Sequence, residues 1–301
     1  MGGSLAQFPE MSTTLPCSSV RMPRADEAGC ISAAAATTAS RMSTTPVIVH
    51  GAAGRMGRRI LELAAADPTF HIVAGVDRQA GPLRSLGVAS DAPLLDRLPD
   101  APGTVIIDFS HHACFESVAA HAARHRMPLV SGTTGIAPTT LDAAIAAAAA
   151  SVGVVHAHNM SVGVNVCLAV AAMLARTLGP SYDIEIVEAH HNQKKDAPSG
   201  TALALADSIL AATGRTRADL CDGRSGLTGA RPRGQIGMHA LRMGDVVGDH
   251  TVYFVGGGER VLLGHVAHTR DVFAQGALRA AAFVAAAAPG RYGMAQVLGL
   301  S

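Results

Sequence analysis

Tryptophan is absent from this 301-residue chain, and Tyr (3) and Phe (7) are scarce, so aromatics make up only 3%. No basic run interleaved with aromatic rings exists, which argues against a groove for single-stranded nucleic acid. Charge of one sign is lacking as well. Lys and Arg number 24 against 23 Asp and Glu, and the net +1 creates no field to draw in nucleic acid or an anionic membrane. Cysteine is sparse and scattered: Cys17, Cys30, Cys114, Cys167 and Cys221 are odd in number and contain no C-x-x-C pair. Neither a disulfide framework nor a thiolate zinc site is indicated, and no metal site is expected. Reduced, buried thiols fit a reducing compartment, so a cytoplasmic location is expected. Long apolar runs are missing too. The longest, Ala143 to Ala157, is mostly alanine, is broken by Ser151 and Gly153, and falls short of the ~18–20 strongly apolar residues of a membrane span. No G-x-S-x-G elbow appears, and neither Ser131 nor Cys114 has an arranged base, so nucleophilic hydrolysis is not expected.

What is present is small and apolar. Hydrophobic residues reach 49%, much of it alanine, on a chain long enough for two domains. Residues 1–45 differ in texture, with Ser, Thr, Ala and Pro, scattered Arg and few acids. They lack the apolar segment of a secretory signal and the amphipathic pattern of a transit peptide. Residues 1–44 are read as an extra or disordered extension, with Met42 as an alternative start.

From there the pattern alternates. Thr45–His50 reads as a short buried strand, and Arg58–Ala66 shows helical periodicity. Strands are expected at His71–Asp77, Thr104–Phe109, Pro128–Gly132 and Gly153–Ala157, with a helix over about His112–Arg126. Strand and helix in alternation imply an α/β fold with a Rossmann-like, doubly wound parallel sheet. Near Asn159 the texture changes. A helix over Val164–Leu178 leads to alternating strands at Tyr182–Ala189, Gln235–Arg242, His250–Val255 and Arg260–His268, which suit an antiparallel or mixed sheet. A last helix is expected over Phe273–Ala288. The change of texture near Asn159 divides the chain into a first, α/β part and a second, α+β part.

Two motifs carry chemistry. Gly51-x-x-Gly54-x-x-Gly57 sits between a strand and a helix, where glycines permit a tight turn and close approach to a pyrophosphate. Its spacing departs from G-x-G-x-x-G, and a purely structural turn is the alternative. Asp77 lies 20 residues beyond Gly57, where an acid holds an adenosine ribose; Arg78 beside it points instead to a 2′-phosphate. The second motif is His190-His191-Asn192-Gln193-Lys194-Lys195-Asp196-Ala197-Pro198-Ser199-Gly200-Thr201. It gathers two imidazoles and two ammonium groups, then ends at a helix start with Ser199 as N-cap. Free N–H groups near Gly200 and Thr201 form an anion cradle, and cations facing it suit a small carboxylate substrate that needs a proton. Gly132-Thr133-Thr134-Gly135 follows a strand at a carboxyl end, and Asn159–Asn165 joins the two textures as a hinge.

In order along residues 46–301, GAAGRMGR (51–58), SGTTG (131–135), HNMSVGVN (158–165), EIVEAHHNQKKDAPSGTAL (185–203), GDVVGDHTV (244–252) and YGMAQVL (292–298) resemble the dihydrodipicolinate reductase family. The resemblance implies an NADH- or NADPH-dependent reductase of diaminopimelate and lysine biosynthesis, acting on a small dicarboxylate, with a dinucleotide-binding domain of residues 45–160 and 271–301, a substrate and oligomerisation domain of residues 161–270, and a homotetramer built through the second domain's sheet. It implies that His190 and Lys194 handle the proton, and that His191, Lys194, Gly200 and Thr201 hold the substrate carboxylates. It further implies that Gly51, Ala52, Ala53, Gly54, Arg55, Met56, Asp77, Arg78, Gly132, Thr133, Thr134, Ala157, His158, Asn159 and Met160 touch the cofactor. Met160 stands where the family often has Phe, and His158 where it often has Ala or Pro. Two other readings use the same architecture: another NAD(P)-dependent amino-acid dehydrogenase, which leaves the histidine–lysine loop unexplained, and a nucleotide-sensing homologue without turnover.

Overall fold

The computed structural model describes residues 44–300, so the N-terminal extension expected at residues 1–44 lies outside the described residues, apart from Thr44. The first half of the chain follows the alternation. In order come β1 (Thr45–His50), α1 (Arg55–Ala66), β2 (Phe70–Val76), β3 (Gly81–Pro82), β4 (Pro93–Leu95), β5 (Val105–Asp108), α2 (Phe115–Arg124), β6 (Leu129–Ser131), α3 (Pro138–Ala149) and β7 (Gly153–His156). Then follow α4 (Val162–Leu178), β8 (Asp183–His190), α5 (Gly200–Thr213), β9 (Leu220–Asp222), β10 (Ile236–Arg242), β11 (Asp249–Val255) and β12 (Arg260–Val266). The chain closes with α6 (Asp271–Ala285), β13 (Gly290–Tyr292) and α7 (Met294–Leu298).

The fold is α/β, with two sheets. The larger has the order β13-β7-β6-β5-β1-β2-β4-β3 and is parallel except at its β3–β4 edge. Its strands are near-continuous apolar runs, as expected of a sheet covered on both faces. Val47, Val49, Val105 and Ile107 point to one side, where α1 and α6 pack with Leu61, Ala277 and Ala281. Ile48, Ile106 and Leu129 point to the other, against Phe115 and Val118 of α2 and Ile145 of α3. The small residues of α6 allow this helix to lie close to the sheet: Ala274, Ala277, Ala280 and Ala281 are all fully buried.

The smaller sheet is mixed, in the order β12-β11-β8-β10-β9. β10 runs parallel to both β8 and β9, whereas β11 is antiparallel to β8 and β12. The helices α4 and α5 cover one face, burying Ile184, Ile186, Phe254, Ala206 and Ile209. On the opposite face Leu241, Leu262 and Val266 are exposed.

Most boundaries fall within one to three residues of the sequence expectation. The largest differences at helix starts have a local cause. α1 starts at Arg55 rather than Arg58, because Gly57 brings the first turn against the preceding loop: a Cβ there would lie 2.1 Å from the Gly51 carbonyl oxygen. Gly51 has φ +83°, a conformation open to glycine at little cost. The helix expected to begin near His112 opens with a 3₁₀ turn over His112–Cys114 before α2 proper.

Candidate active site

Strand register sets the first half of the site. In the large sheet His50 pairs with Asp108, Asp108 with Ser131 and Ser131 with His156, so four polar side chains end β1, β5, β6 and β7 in one row. This is the carboxyl edge, where open parallel sheets bind ligands. Asp108 is fully buried at its centre. Its carboxylate accepts from His50 Nδ1 (2.8 Å), Ser110 Oγ (2.6 Å), Ser131 Oγ (3.1 Å) and Thr133 Oγ1 (2.8 Å). Burial pushes this carboxyl up, but the bonds from His50, Ser110 and Thr133 outweigh it and hold the group below the ordinary carboxylate range. Asp108 thereby ties the end of β1 to the Gly132–Thr134 loop, whose first N–H donates to the Asp108 carbonyl at 3.0 Å. Burial lowers His156 to about 4, with the charge of His158 adding to the effect.

The glycine turn rises from the same edge. The N–H groups of Gly51 and Ala52 both donate to the Val76 carbonyl, at 2.9 and 3.0 Å. The Ala53 N–H donates to Asp77 Oδ2 and the Arg78 N–H to Asp77 Oδ1, each at 2.8 Å. The carboxylate at the end of β2 thus anchors the turn itself. Arg78 is 99% exposed, with its Nε 4.0 Å from Asp77. Gly51, Gly54, Asp77 and Arg78 line a cleft of about 1260 Å³. No side chain projects from the glycines, the cleft is open, and α1 begins at Arg55 with its first N–H groups available. This arrangement fits the pyrophosphate and ribose of a dinucleotide.

The second half is built on the small sheet. Glu188 sits at the buried parity of β8, following Ile184 and Ile186, and is 1% exposed. Arg242 grips it with two guanidinium nitrogens, each at 2.9 Å. His190 Nδ1 donates to Glu188 Oε2 at 2.6 Å, and the Ser199 N–H donates to Oε1 at 3.0 Å. Burial raises the Glu188 carboxyl; the bonds from Arg242 and His190 more than reverse this, leaving it below its ordinary value. One carboxylate therefore fixes both the imidazole at the end of β8 and the start of α5. Ser199 caps α5, its hydroxyl accepting from the Ala202 N–H at 3.2 Å, as its position in the sequence predicts. That hydroxyl also lies 3.1 Å from His250 Nε2. Burial, with the charge of His190 adding to it, lowers His250 to about 4. Glu188 and His250 are register partners across β8 and β11, and the His190 and His250 rings meet edge-on at 5.2 Å.

The loop between β8 and α5 holds the remaining expected residues. His191 is half-buried, and its carbonyl accepts from the Lys194 N–H at 3.1 Å. Lys194 Nζ pairs with Asp196 at 3.0 Å. Gly200 opens α5, and Thr201 Oγ1 accepts from Asn159 Nδ2 at 3.0 Å. That bond joins the β7–α4 connection to the helix start. The connection is itself braced: the Ser161 N–H donates to Asn159 Oδ1, and Asn165 Nδ2 donates to the carbonyls of Asn159 and Ser161. The Met160 side chain is buried against α6. Thr134 and His158 are exposed. The cleft of the glycine turn includes none of His190, Lys194 and Thr201, so the two clusters meet through the Asn159–Thr201 bond rather than in one cavity.

Sequence reasoning missed Asp108, Glu188, Arg242 and His250. The first two had a readable signal, a carboxylate at the end of an apolar run and one at the buried parity of a strand. Such a group requires partners.

Comparison with known proteins bears on the whole described chain. Residues 45–160 match the family model for the dihydrodipicolinate reductase N-terminus, and residues 163–298 match that for its C-terminus. A protein of Myxococcus xanthus named 4-hydroxy-tetrahydrodipicolinate reductase is 47% identical over 263 residues, covering 84% of this chain and 97% of that protein. A protein of the same name from Nitratidesulfovibrio vulgaris is 46% identical over 261 residues, covering 84% and 99%. Among solved structures, a dipicolinate-bound dihydrodipicolinate reductase from Paenisporosarcina sp. TG-14 superposes with a TM-score of 0.67 at 24% identity, covering 83% of this chain and 97% of that one.

Proposed function

The chain belongs to the dihydrodipicolinate reductase family, and we propose that it reduces 4-hydroxy-tetrahydrodipicolinate to tetrahydrodipicolinate in diaminopimelate and lysine biosynthesis. Overall, one hydride and one proton are added and one water is lost. The observation that carries this reading is the Glu188 carboxylate, which holds His190 and the capped start of α5 beside the Lys194 loop.

A bound nicotinamide nucleotide supplies the hydride. Gly51 to Met56 would receive its pyrophosphate, Asp77 and Arg78 its adenosine ribose, and Gly132 to Thr134 with Ala157 to Met160 its nicotinamide end. Everything else falls to side chains of this chain. A dicarboxylate substrate meets the first N–H groups of α5, the Thr201 hydroxyl and the imidazole of His191, and the positive end of a 14-residue helix favours it. Lys194 exchanges Asp196 for a substrate carboxylate. His190, its Nδ1–H committed to Glu188, keeps Nε2 for proton exchange, and with Lys194 it delivers the proton to the centre next to the reduced carbon. Asn159 holds Thr201 in place and couples the nucleotide cleft to the substrate cradle.

The nucleotide preference follows from Asp77 and Arg78. Each Asp77 oxygen already holds a backbone N–H, while the Arg78 side chain extends into solvent with only a 4.0 Å approach to Asp77. NADH and NADPH are both accepted, within about tenfold of each other. Residues 45–160 with 271–301 serve the nucleotide, and residues 161–270 serve the substrate and assembly. The open face of the small sheet, with Leu241, Leu262 and Val266, supports the homotetramer. No helix among the described residues is long and apolar enough to cross a membrane, and Cys114, Cys167 and Cys221 are free thiols, which suits the cytoplasm. A coupled assay tests the activity: aspartate semialdehyde and pyruvate are condensed in situ and nucleotide oxidation is followed at 340 nm. Turnover dependent on both precursors is expected. Oxidation with an amino acid's keto acid instead would point to another dehydrogenase.

A further inference from the structure

On the far wall of the nucleotide cleft, three side chains of metal-binding type converge outside the machinery described above. His121 lies in the last turn of α2 and His125 at its C-cap, so the i,i+4 spacing puts both imidazoles on one helix face, with ring centroids 4.3 Å apart. Asp100 reaches them from the loop before β5. Its Oδ1 lies 3.2 Å from His125 Nδ1 and 4.0 Å from His121 Nε2, and one ligand atom from each residue falls within 4.8 Å of the other two. Both histidines are largely covered, at 16% and 22% exposure, whereas Asp100 is open at 69%. His121 Nε2 also lies 3.2 Å from the Pro99 carbonyl.

We propose that Asp100, His121 and His125 form a site for a divalent transition metal ion of the zinc type. Two imidazole nitrogens and one carboxylate oxygen form a donor set that suits such an ion, and two histidines at i,i+4 on a helix are a recurrent way to present it. Around a tetrahedral ion with bonds of about 2.1 Å, ligand atoms sit roughly 3.4 Å apart. The 3.2 Å pair already meets this, and a small swing of the exposed Asp100 side chain closes the 4.0 Å pair. Three protein ligands leave a fourth position open toward the cleft that the glycine turn also lines. The ion would tie the loop before β5 to the end of α2. No metal is expected from the thiols of this chain; the spacing that marks this site is His121-Ala-Ala-Arg-His125, completed by Asp100 21 positions upstream of His121.

The full chain, prepared without a histidine tag, is titrated with Zn²⁺ against a chromophoric competitor, and with Co²⁺ to read the visible spectrum of the bound ion. One equivalent of each ion is expected to bind with low-micromolar affinity or better, and Co²⁺ should show the intense bands of a low-coordinate nitrogen–oxygen site. His125→Ala and Asp100→Asn should each weaken binding by at least about tenfold, while the exposed His71→Ala leaves it unchanged. Circular dichroism melts without metal verify that each variant is folded, and His125→Asn serves if His125→Ala is not. Binding weaker than millimolar, or binding undiminished in the folded His125 and Asp100 variants, overturns the site: the cluster is then an aspartate–histidine ion pair at a helix end.

Discussion

Replacing Glu188 with Gln preserves shape and removes the one negative charge around which the substrate half of the site is arranged. Each Glu188 oxygen accepts two hydrogen bonds, Oε2 from His190 and Arg242 and Oε1 from Ser199 and Arg242. An amide nitrogen in either place turns a donor toward two donors. With the carboxylate 1% exposed, water cannot repair the loss, and breaking a buried charge pair from one side costs about 3–5 kcal/mol. For a chain of this size that lowers Tm by about 5–15 °C. The sign with pH follows. Glu188 is held below its ordinary value, so its contribution is complete above pH about 4.5 and is lost as pH falls through the folded value. The variant should lack that component of the acid loss. Function should suffer beyond stability, because both His190 and Ser199 lose their anchor. Steady-state kinetics well below Tm are expected to show kcat down by about 10–100-fold, part of the 10²–10⁴ that a general acid–base contributes, together with a raised KM. Glu188→Asp, which keeps the charge, should recover part of kcat. A folded Glu188→Gln enzyme with kcat within a factor of about three of the parent would refute the positioning role, even if its Tm fell as expected.

Lys194→Ala should lower kcat by about 10²-fold or more with nucleotide affinity intact, since among the described residues the side chain pairs with Asp196 alone; near-normal kcat would remove it from proton delivery. Thr201→Val deletes the hydroxyl that accepts from Asn159, and a lost bond to a charged group is worth about 1.5–3 kcal/mol, so KM should rise by tenfold or more while kcat falls less. An unchanged KM would turn the start of α5 away from the substrate. Arg78→Ala should weaken NADPH selectively, and Asp77→Ala should weaken NADH more than NADPH while costing both something, because Ala53 N–H loses its acceptor. Equal losses of both nucleotides in both variants, measured by fluorescence titration, would detach these residues from ribose recognition. His156 is half-buried with both ring nitrogens covered and His250 is buried, both with values near 4, so each stays neutral while the unfolded chain takes up a proton below pH about 6.5. Stability should therefore fall between pH 6.5 and 4 by on the order of 3 kcal/mol per histidine, and His156→Leu should flatten that slope in urea melts. An unaltered slope would remove His156 as a source of acid lability.

Local features of this protein were legible in its residues. β1 runs over Thr45–His50 as its apolar pattern predicts, Ser199 caps α5, and Asp77 directly follows β2 beside the glycine turn. These follow from contiguous residues, through side-chain period, glycine conformation and capping chemistry, so one stretch of sequence contains the whole cause. The short elements β3, β4, β9, β13 and α7 escaped because two to five residues carry no measurable period. The alternation of the later strands allowed an antiparallel or a mixed sheet, and only the packed structure set β10 parallel to β8 with Arg242 opposite His190. That register delivers Arg242 to Glu188 across 54 residues, just as the β1–β5 register delivers His50 to Asp108 across 58. A buried carboxylate announces in the sequence that it needs donors. Which donors reach it depends on strand order and register, which are set by the whole core rather than by any stretch of chain.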